Sequence, residues 1–151
     1  MPKSAPKPEL SDLYYQDFHA WTQTQARLLS DRRFDELDLA NLIDEISNVG
    51  AAEKTQIETH LEGLVANLLK WKYQPGARSH FWRDTIDEQR GGIARIVEMS
   101  PSLRSHPLDV FEDCFAAGRQ RAARETGIDP ILFPEFSPFT LEEALEDSFW
   151  P

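Results

Sequence analysis

Apolar residues recur along almost the whole chain at steps of three and four, the spacing that lines one face of an α-helix. No run alternates with period two in valine, isoleucine and threonine, so no strand is predicted. The first helix is predicted from Ser11, as N-cap, to about Leu29, with Tyr14, Phe18, Trp21, Gln25 and Leu28 on a common face. The second starts at Asp38, where Leu37 can staple onto Leu42, and Leu39, Leu42, Ile43, Ile46 and Val49 form its core-facing stripe. The spacing then continues through Ile57, Leu61, Leu64, Leu68 and Trp71. A straight helix over residues 38–73 would be about 54 Å long, against a diameter of about 38 Å for a compact domain of this size. A break is therefore expected at Asn48 and Gly50, the weakest helix formers on the path, with a third helix over about Ala51 to Tyr73.

Pro75 and Gly76 end that helix, and a fourth is predicted from Ser79 to about Met99, with Phe81 or Trp82, Ile86, Ile93 and Val97 toward the core. Gly91 and Gly92 inside it mark either a kink or a close helix contact. Pro101 stops it, Pro107 suits the first turn of another helix carrying Leu108, Phe111, Phe115, Gly118 and Ala122, and Gly127 ends that one. Three prolines and four large apolar residues in DPILFPEFSPF predict an extended strap whose Ile131, Leu132, Phe133 and Phe136 lie over the bundle. Thr140 and Glu143 form a capping box for a short last helix ending near Phe149. The fold predicted is all-α: a compact single-domain helical bundle over residues 11–151, with residues 1–10 as a flexible lead-in.

Length and composition agree. A chain of 151 residues, 40% hydrophobic and 11% aromatic, can bury a core. No apolar run reaches membrane-span length and MPKSAPKPEL holds no signal-peptide core, so no membrane is expected and the cytoplasm is the expected compartment. The formal net charge of −10 disfavours nucleic acid and anionic lipid. That charge is uneven: residues 9–52 carry 3 basic and 9 acidic groups, residues 53–104 carry 8 and 7, and residues 105–151 carry 3 and 10. The acidic flanks either pair with the middle or meet a basic partner.

Known site chemistries find little purchase. The helical di-metal pattern needs Glu three residues before His, but Gln16, Ile57, Ala77 and Leu103 precede His19, His60, His80 and His106. Asp38, Asp44, Glu45 and Glu53, with His60 farther on, read as a solvated acidic face, so no metal or other cofactor is expected. Cys114, the single cysteine, excludes an intramolecular disulfide and sits between Phe111 and Phe115 as a packing residue. Asp44–Glu45, Asp87–Glu88, Glu142–Glu143 and Glu146–Asp147 are sequence neighbours, pointing about 100° apart on a helix rather than forming acid–base pairs.

One stretch interleaves cations with aromatic rings: KWKYQPGARSHFW, residues 70–82. With Arg90 it offers a candidate binding site, in which Trp71 and Trp82 stack a planar ligand while Lys70, Gln74, Arg78 and Arg90 present donors. The same residues also suit a purely structural corner, with Trp71 on the core side and the polar groups satisfying carbonyls where the helix ends.

The blocks LYYQDFHAWTQTQARLL, FDELDLANLIDEI, HLEGLVANLLKWKYQP, FWRDTIDEQR, PSLR and FPEFSPFT, in this order from about Leu13 to the end of the chain, resemble the bacterial domain-of-unknown-function family 29. LLKWKYQP followed by W-x-x-T-I-x-x-Q-R is the most specific part. The resemblance implies a compact all-helical fold and no assigned activity. Asn67 stands where relatives are expected to carry histidine, and Phe81 where they carry serine. The functional expectation is a small acidic protein-interaction module without catalysis, neutralising a basic protein partner. The alternatives are a small-molecule or nucleotide site in the Lys70–Arg90 region and, less favoured, a metal-dependent helical-bundle enzyme.

Overall fold

The computed structural model describes residues 10–151. The fold is an all-α bundle, without a strand among the described residues. Seven helices follow in order: α1 Leu10–Gln16, α2 Phe18–Ser30, α3 Leu39–Tyr73, α4 His80–Met99, α5 His106–Asp109, α6 Phe111–Thr126 and α7 Leu141–Leu145. Short 3-10 turns occupy Phe34–Glu36, Pro75–Ala77, Pro101–Leu103 and Pro130–Leu132. The chain divides into two compact units, Met1–Ala51 and Ala52–Pro151. The expected lead-in lies outside the described residues except for Leu10, which opens α1.

In the first unit, the single helix expected from Ser11 to Leu29 is two. Asp17 breaks it by leaving helical geometry (φ −151°, ψ 84°), and its carboxylate then accepts from Ala20 N at 2.9 Å to cap α2. Ser11 lies inside α1 and is no cap. Trp21 is the centre of this unit, almost wholly buried, with Tyr14 edge-on at 5.0 Å and Phe18 stacked at 5.6 Å. Its indole N–H donates to Asp38 at 3.1 Å, and Asp38 N donates to the buried Gln25 Oε1 at 2.9 Å, which ties α2 to the start of α3. The Tyr14 hydroxyl donates to Glu45, and that bond, with burial and the Glu45 charge adding to it, pushes the phenol up to about 12.

The break expected at Asn48–Gly50 is absent: α3 runs without interruption through Tyr73. One glycine costs about 1 kcal/mol in a helix, too little to end one this long. The diameter argument fails because residues up to Ala51 group with the first unit and those after it with the second. The expected core stripe is also corrected. Leu39, Ile43, Ile46 and Val49 are 57, 60, 70 and 71% exposed, and only Leu42 of that set is half-buried.

The second unit is built around the other half of α3. Leu61 and every residue from Gly63 to Lys70 are buried, so this segment is enclosed on all sides, and only Glu62 within it is half-buried. Ile86 and Ile93 of α4, Cys114, Phe115, Ala122 and Ala123 of α6, and Phe133, Phe139, Leu141 and Ala144 beyond it complete the core. Two glycines allow the approach. A Cβ on Gly92 would sit 2.6 Å from the His60 ring, whereas one on Gly91 would meet open space, so of the glycine pair in the uninterrupted α4 it is Gly92 that marks a close contact. A Cβ on Gly118 would sit 2.7 Å from Val65 Cγ1 and 2.8 Å from the Glu62 carbonyl.

Other expectations shift in detail. The helix expected from Pro107 is split at Val110 into α5 and α6, and Leu108 is exposed. Phe81 is exposed, and Trp82 is the half-buried member of that pair. Gly127 ends α6 in the left-handed region at φ 71°, as the sequence predicts. The strap buries only Phe133 of its four large residues: Ile131, Leu132 and Phe136 face solvent. It is held through its backbone instead, by Arg119, whose guanidinium donates to the Pro130 carbonyl at 2.7 Å and the Phe133 carbonyl at 3.2 Å. The Thr140–Glu143 capping box forms, but α7 stops at Leu145 rather than near Phe149.

Gly118→Ala tests the close approach of α6 to α3. The added methyl meets backbone as well as Val65, so chemical denaturation should show a loss of about 1–3 kcal/mol, the usual cost of overpacking. Gly50→Ala, which adds a methyl in open space, should stabilise slightly.

Candidate functional site

The corner between α3 and α4 is fixed by Pro75, which opens the 3-10 turn, and by Ser79, whose hydroxyl accepts from Trp82 N to start α4. The last carbonyls of α3 have no partner within the helix. Arg78 donates its Nε–H to one of them, Trp71 O, at 2.8 Å, while its guanidinium lies 4.9 Å from the centre of the Trp71 ring. Trp71 in turn packs on Trp150 at 4.9 Å, and Arg83 and Arg90 approach the Trp150 ring at 5.1 and 5.4 Å. Two adjoining rings thus carry three guanidinium groups, Arg78 on Trp71 and Arg83 and Arg90 on Trp150.

Arg90 is the best-anchored cation of this cluster. It is 3% exposed and donates to three carbonyls of the C-terminal segment: Ala144 at 2.8 Å, Phe149 at 2.8 Å and Asp147 at 3.4 Å. Ala144 lies in the last turn of α7 and Asp147 and Phe149 beyond it, so none has a partner from a continuing helix, and the planar fork of the guanidinium supplies the donors. Burial lowers the Arg90 pKa from its ordinary value, with Asp87, Asp147 and Glu146 opposing the shift.

Lys70 and Trp82 form a second group. Lys70, 5% exposed, pairs with Glu125 of α6 at 2.6 Å and lies 5.1 Å from the Trp82 ring centre. Burial works against the Glu125 charge, but hydrogen bonds from Arg121 and Lys70 outweigh it and hold the carboxyl below its ordinary 4.5. Gln74 is half-buried and takes part through its backbone, donating to Lys70 O and accepting from Ala77 N.

The six residues singled out in the sequence therefore fall into two clusters, Lys70 with Trp82 and Trp71 with Arg78 and Arg90, and Gln74 lies at the turn. The participants missed in the sequence are Trp150, Arg83, Glu125 and the carbonyls of the last segment. Trp150, next to Phe149 in the otherwise polar and acidic run after Leu145, is a visible signal for the first of these. A cavity of about 380 Å³ lined by Arg83, Asp87, Gly91, Asp147 and Trp150 lies on the Arg83 side of that ring.

Cys114, His106, His60 and Asn67 lie outside these clusters. Cys114 is buried, and burial, aided by Glu62, Glu58 and Asp113, pushes its thiol up to about 12, which makes it a poor nucleophile. His106 meets Glu58 at 2.9 Å and His60 Nδ1 meets Gln89 Oε1 at 2.7 Å. Asn67, expected as histidine in relatives, donates to the Gly63 carbonyl at 2.8 Å inside the core. Among the described residues no three His, Cys, Asp or Glu side chains gather closely enough to hold a metal ion, and no helix is long and apolar enough to cross a membrane.

Arg90→Met should lower stability by about 3 kcal/mol in urea denaturation, because buried carbonyls lose charged donors. Arg90→Lys should recover only part of that loss, since an ammonium cannot reach three carbonyls in a fork. Glu125 gives a pH signature. Its pKa is lower folded than unfolded, so its contribution is complete above 4.5 and disappears as pH falls through the folded value. The stability difference between the natural protein and Glu125→Gln should therefore shrink between about pH 6 and pH 3, measured by denaturation at each pH.

The comparisons with known proteins bear on the whole chain. No curated protein and no solved structure matches it. The family model described as "Domain of unknown function DUF29" matches residues 13–150, so nearly the full length, the corner and its Trp150 included, falls within it, and the chain belongs to that family.

Proposed function

We propose that this chain is a protein-interaction module that works without catalysis and docks a basic amphipathic helix on the N-terminal half of α3. The observation that carries this reading is the exposed stripe Leu39, Ile43, Ile46 and Val49, four aliphatic side chains each more than half exposed at spacings of four, three and three. That spacing puts the four side chains on one helix face, where the apolar face of a second amphipathic helix can pack against them. Contiguous apolar surface of this kind is uncommon on a solvated helix. The choice of a basic partner rests on charge: residues 9–52 carry 9 acidic groups against 3 basic ones, and Asp35 and Asp44 are exposed on the same stretch. A second copy of the chain would bring like charges together.

For the Lys70–Arg90 corner we propose a structural role in preference to a ligand site. What supports it is the engagement of Lys70 with Glu125, of Arg78 with the Trp71 carbonyl and of Arg90 with three carbonyls.

A labelled helical peptide with leucines at i, i+3, i+4 and i+7 and lysines elsewhere tests the docking surface. Fluorescence anisotropy should show binding that weakens as salt rises, because the rim charges are exposed. Ile43→Asp with Ile46→Asp should abolish it while the circular-dichroism melt stays unchanged, since both side chains are already in solvent. Absence of binding, or binding indifferent to the double substitution, refutes the reading.

A further inference from the structure

A cavity of about 410 Å³ lies between α6 and the strap, lined by Phe111, Glu112, Phe115 and Ala116 from the helix and by Glu135, Phe136 and Ser137 from the strap. The volume falls within the range of small-molecule sites. Positions 111, 112, 115 and 116 share one face of α6, which gives the cavity an aromatic and acidic wall. Phe136 is 79% exposed, a large ring at this cavity and outside the core, although the strap to which it belongs is pinned by Arg119.

The polar groups at this cavity are of one sign. Glu112 and Glu135 are both exposed and neither is in an ion pair among the described residues. The Ser137 hydroxyl donates to Phe139 O at 2.5 Å and accepts from Phe139 N at 3.3 Å, so its local bonds are already made. No lysine, arginine or histidine lines the cavity, and Arg119 is occupied by the Pro130 and Phe133 carbonyls. The N-terminal dipole of α6 offsets part of the charge of Glu112, and Glu135 on the strap is free of that effect.

We infer that this cavity is a binding site for a hydrophobic organic cation, an arylalkyl ammonium whose ring packs among Phe111, Phe115 and Phe136 while its charged head meets Glu112 and Glu135. Aromatic faces attract a desolvated ammonium, and carboxylates add directional acceptors to that attraction. An anion of the same shape would face two carboxylates without a counter-charge. A neutral isostere would retain only the apolar contact. The inference does not depend on the reading given to the α3 stripe.

The test is a titration of the full chain with phenethylammonium, followed by backbone amide NMR shifts, beside 2-phenylethanol and phenylacetate. Shifts should localise to residues 111–116 and 135–137, with the alcohol binding at least about tenfold more weakly and the carboxylate not at all. Glu112→Gln with Glu135→Gln should remove the preference for the amine over the alcohol, while the rest of the amide spectrum stays in place. Shifts that are absent, scattered over the surface, equal for amine and alcohol, or unaffected by the double substitution would each overturn the inference. The three-ligand comparison on the natural protein decides the matter even if that variant folds poorly.

Discussion

A helix enclosed on all sides dictates most of what surrounds it. From Gly63 to Lys70 every residue of α3 is buried, so the segment has no solvated face on which to leave a polar group. Two polar side chains nevertheless fall there, and each has to find a partner inside. Asn67 turns its amide back to the Gly63 carbonyl, and Lys70 reaches Glu125 on α6. The same enclosure sets limits on the neighbours. Where α6 passes Val65 and the Glu62 carbonyl only Gly118 fits, and a side chain at Gly92 would have to displace the His60 ring one turn before the enclosed segment. Burial of one helix thus fixes an ion pair, a side-chain-to-backbone bond and a glycine.

The corner follows from a second requirement of the same kind. The carbonyl of Ala144 in the last turn of α7 and those of Asp147 and Phe149 beyond it need donors. Arg90 meets three of them from one side chain, and Trp150 covers its guanidinium. Arg78 does for the end of α3 what Arg90 does for the last segment. Cations and rings interleaved in sequence here meet carbonyls and one another, and these contacts support the structural role proposed for the corner. Nucleic-acid recognition uses the same residue types but requires them free and convergent on a ligand.

Much of this was legible in the sequence, for reasons that can be stated. The ends of α3 and α4 at Pro75 and Ser79, the stop at Gly127 and the Thr140 capping box are local chemistry, which a few adjacent residues determine. Gly118 was visible as glycine on the stripe that helical spacing turns to the core, whereas at Gly91–Gly92 the sequence left a kink and a close contact both open. The split at Asp17 is also local, but an aspartate can either cap a helix or sit on its surface, and the pattern of Tyr14, Phe18 and Trp21 carries across it. The candidate site was legible as a place and not as an arrangement. Lys70, Arg78 and Arg90 stood out by type, whereas their partners Glu125, the Trp71 carbonyl and the last carbonyls are distant in sequence or are backbone, which has no signature in residue identity.

The α3 stripe shows where periodicity stops being informative. Leu39, Ile43 and Ile46 keep the same spacing as Ile57, Leu61 and Leu64, yet the first three are exposed and the second three wholly buried. Helical spacing states that one face is apolar; what covers that face is decided by the elements that pack on it. In the first unit those elements use Asp38, Gln25, Tyr14 and Glu45 to hold α3 through polar contacts on another side, which leaves the aliphatic face open. Spacing and burial part company at this face, and the interaction reading proposed above rests on that difference together with the acidic stretch around it.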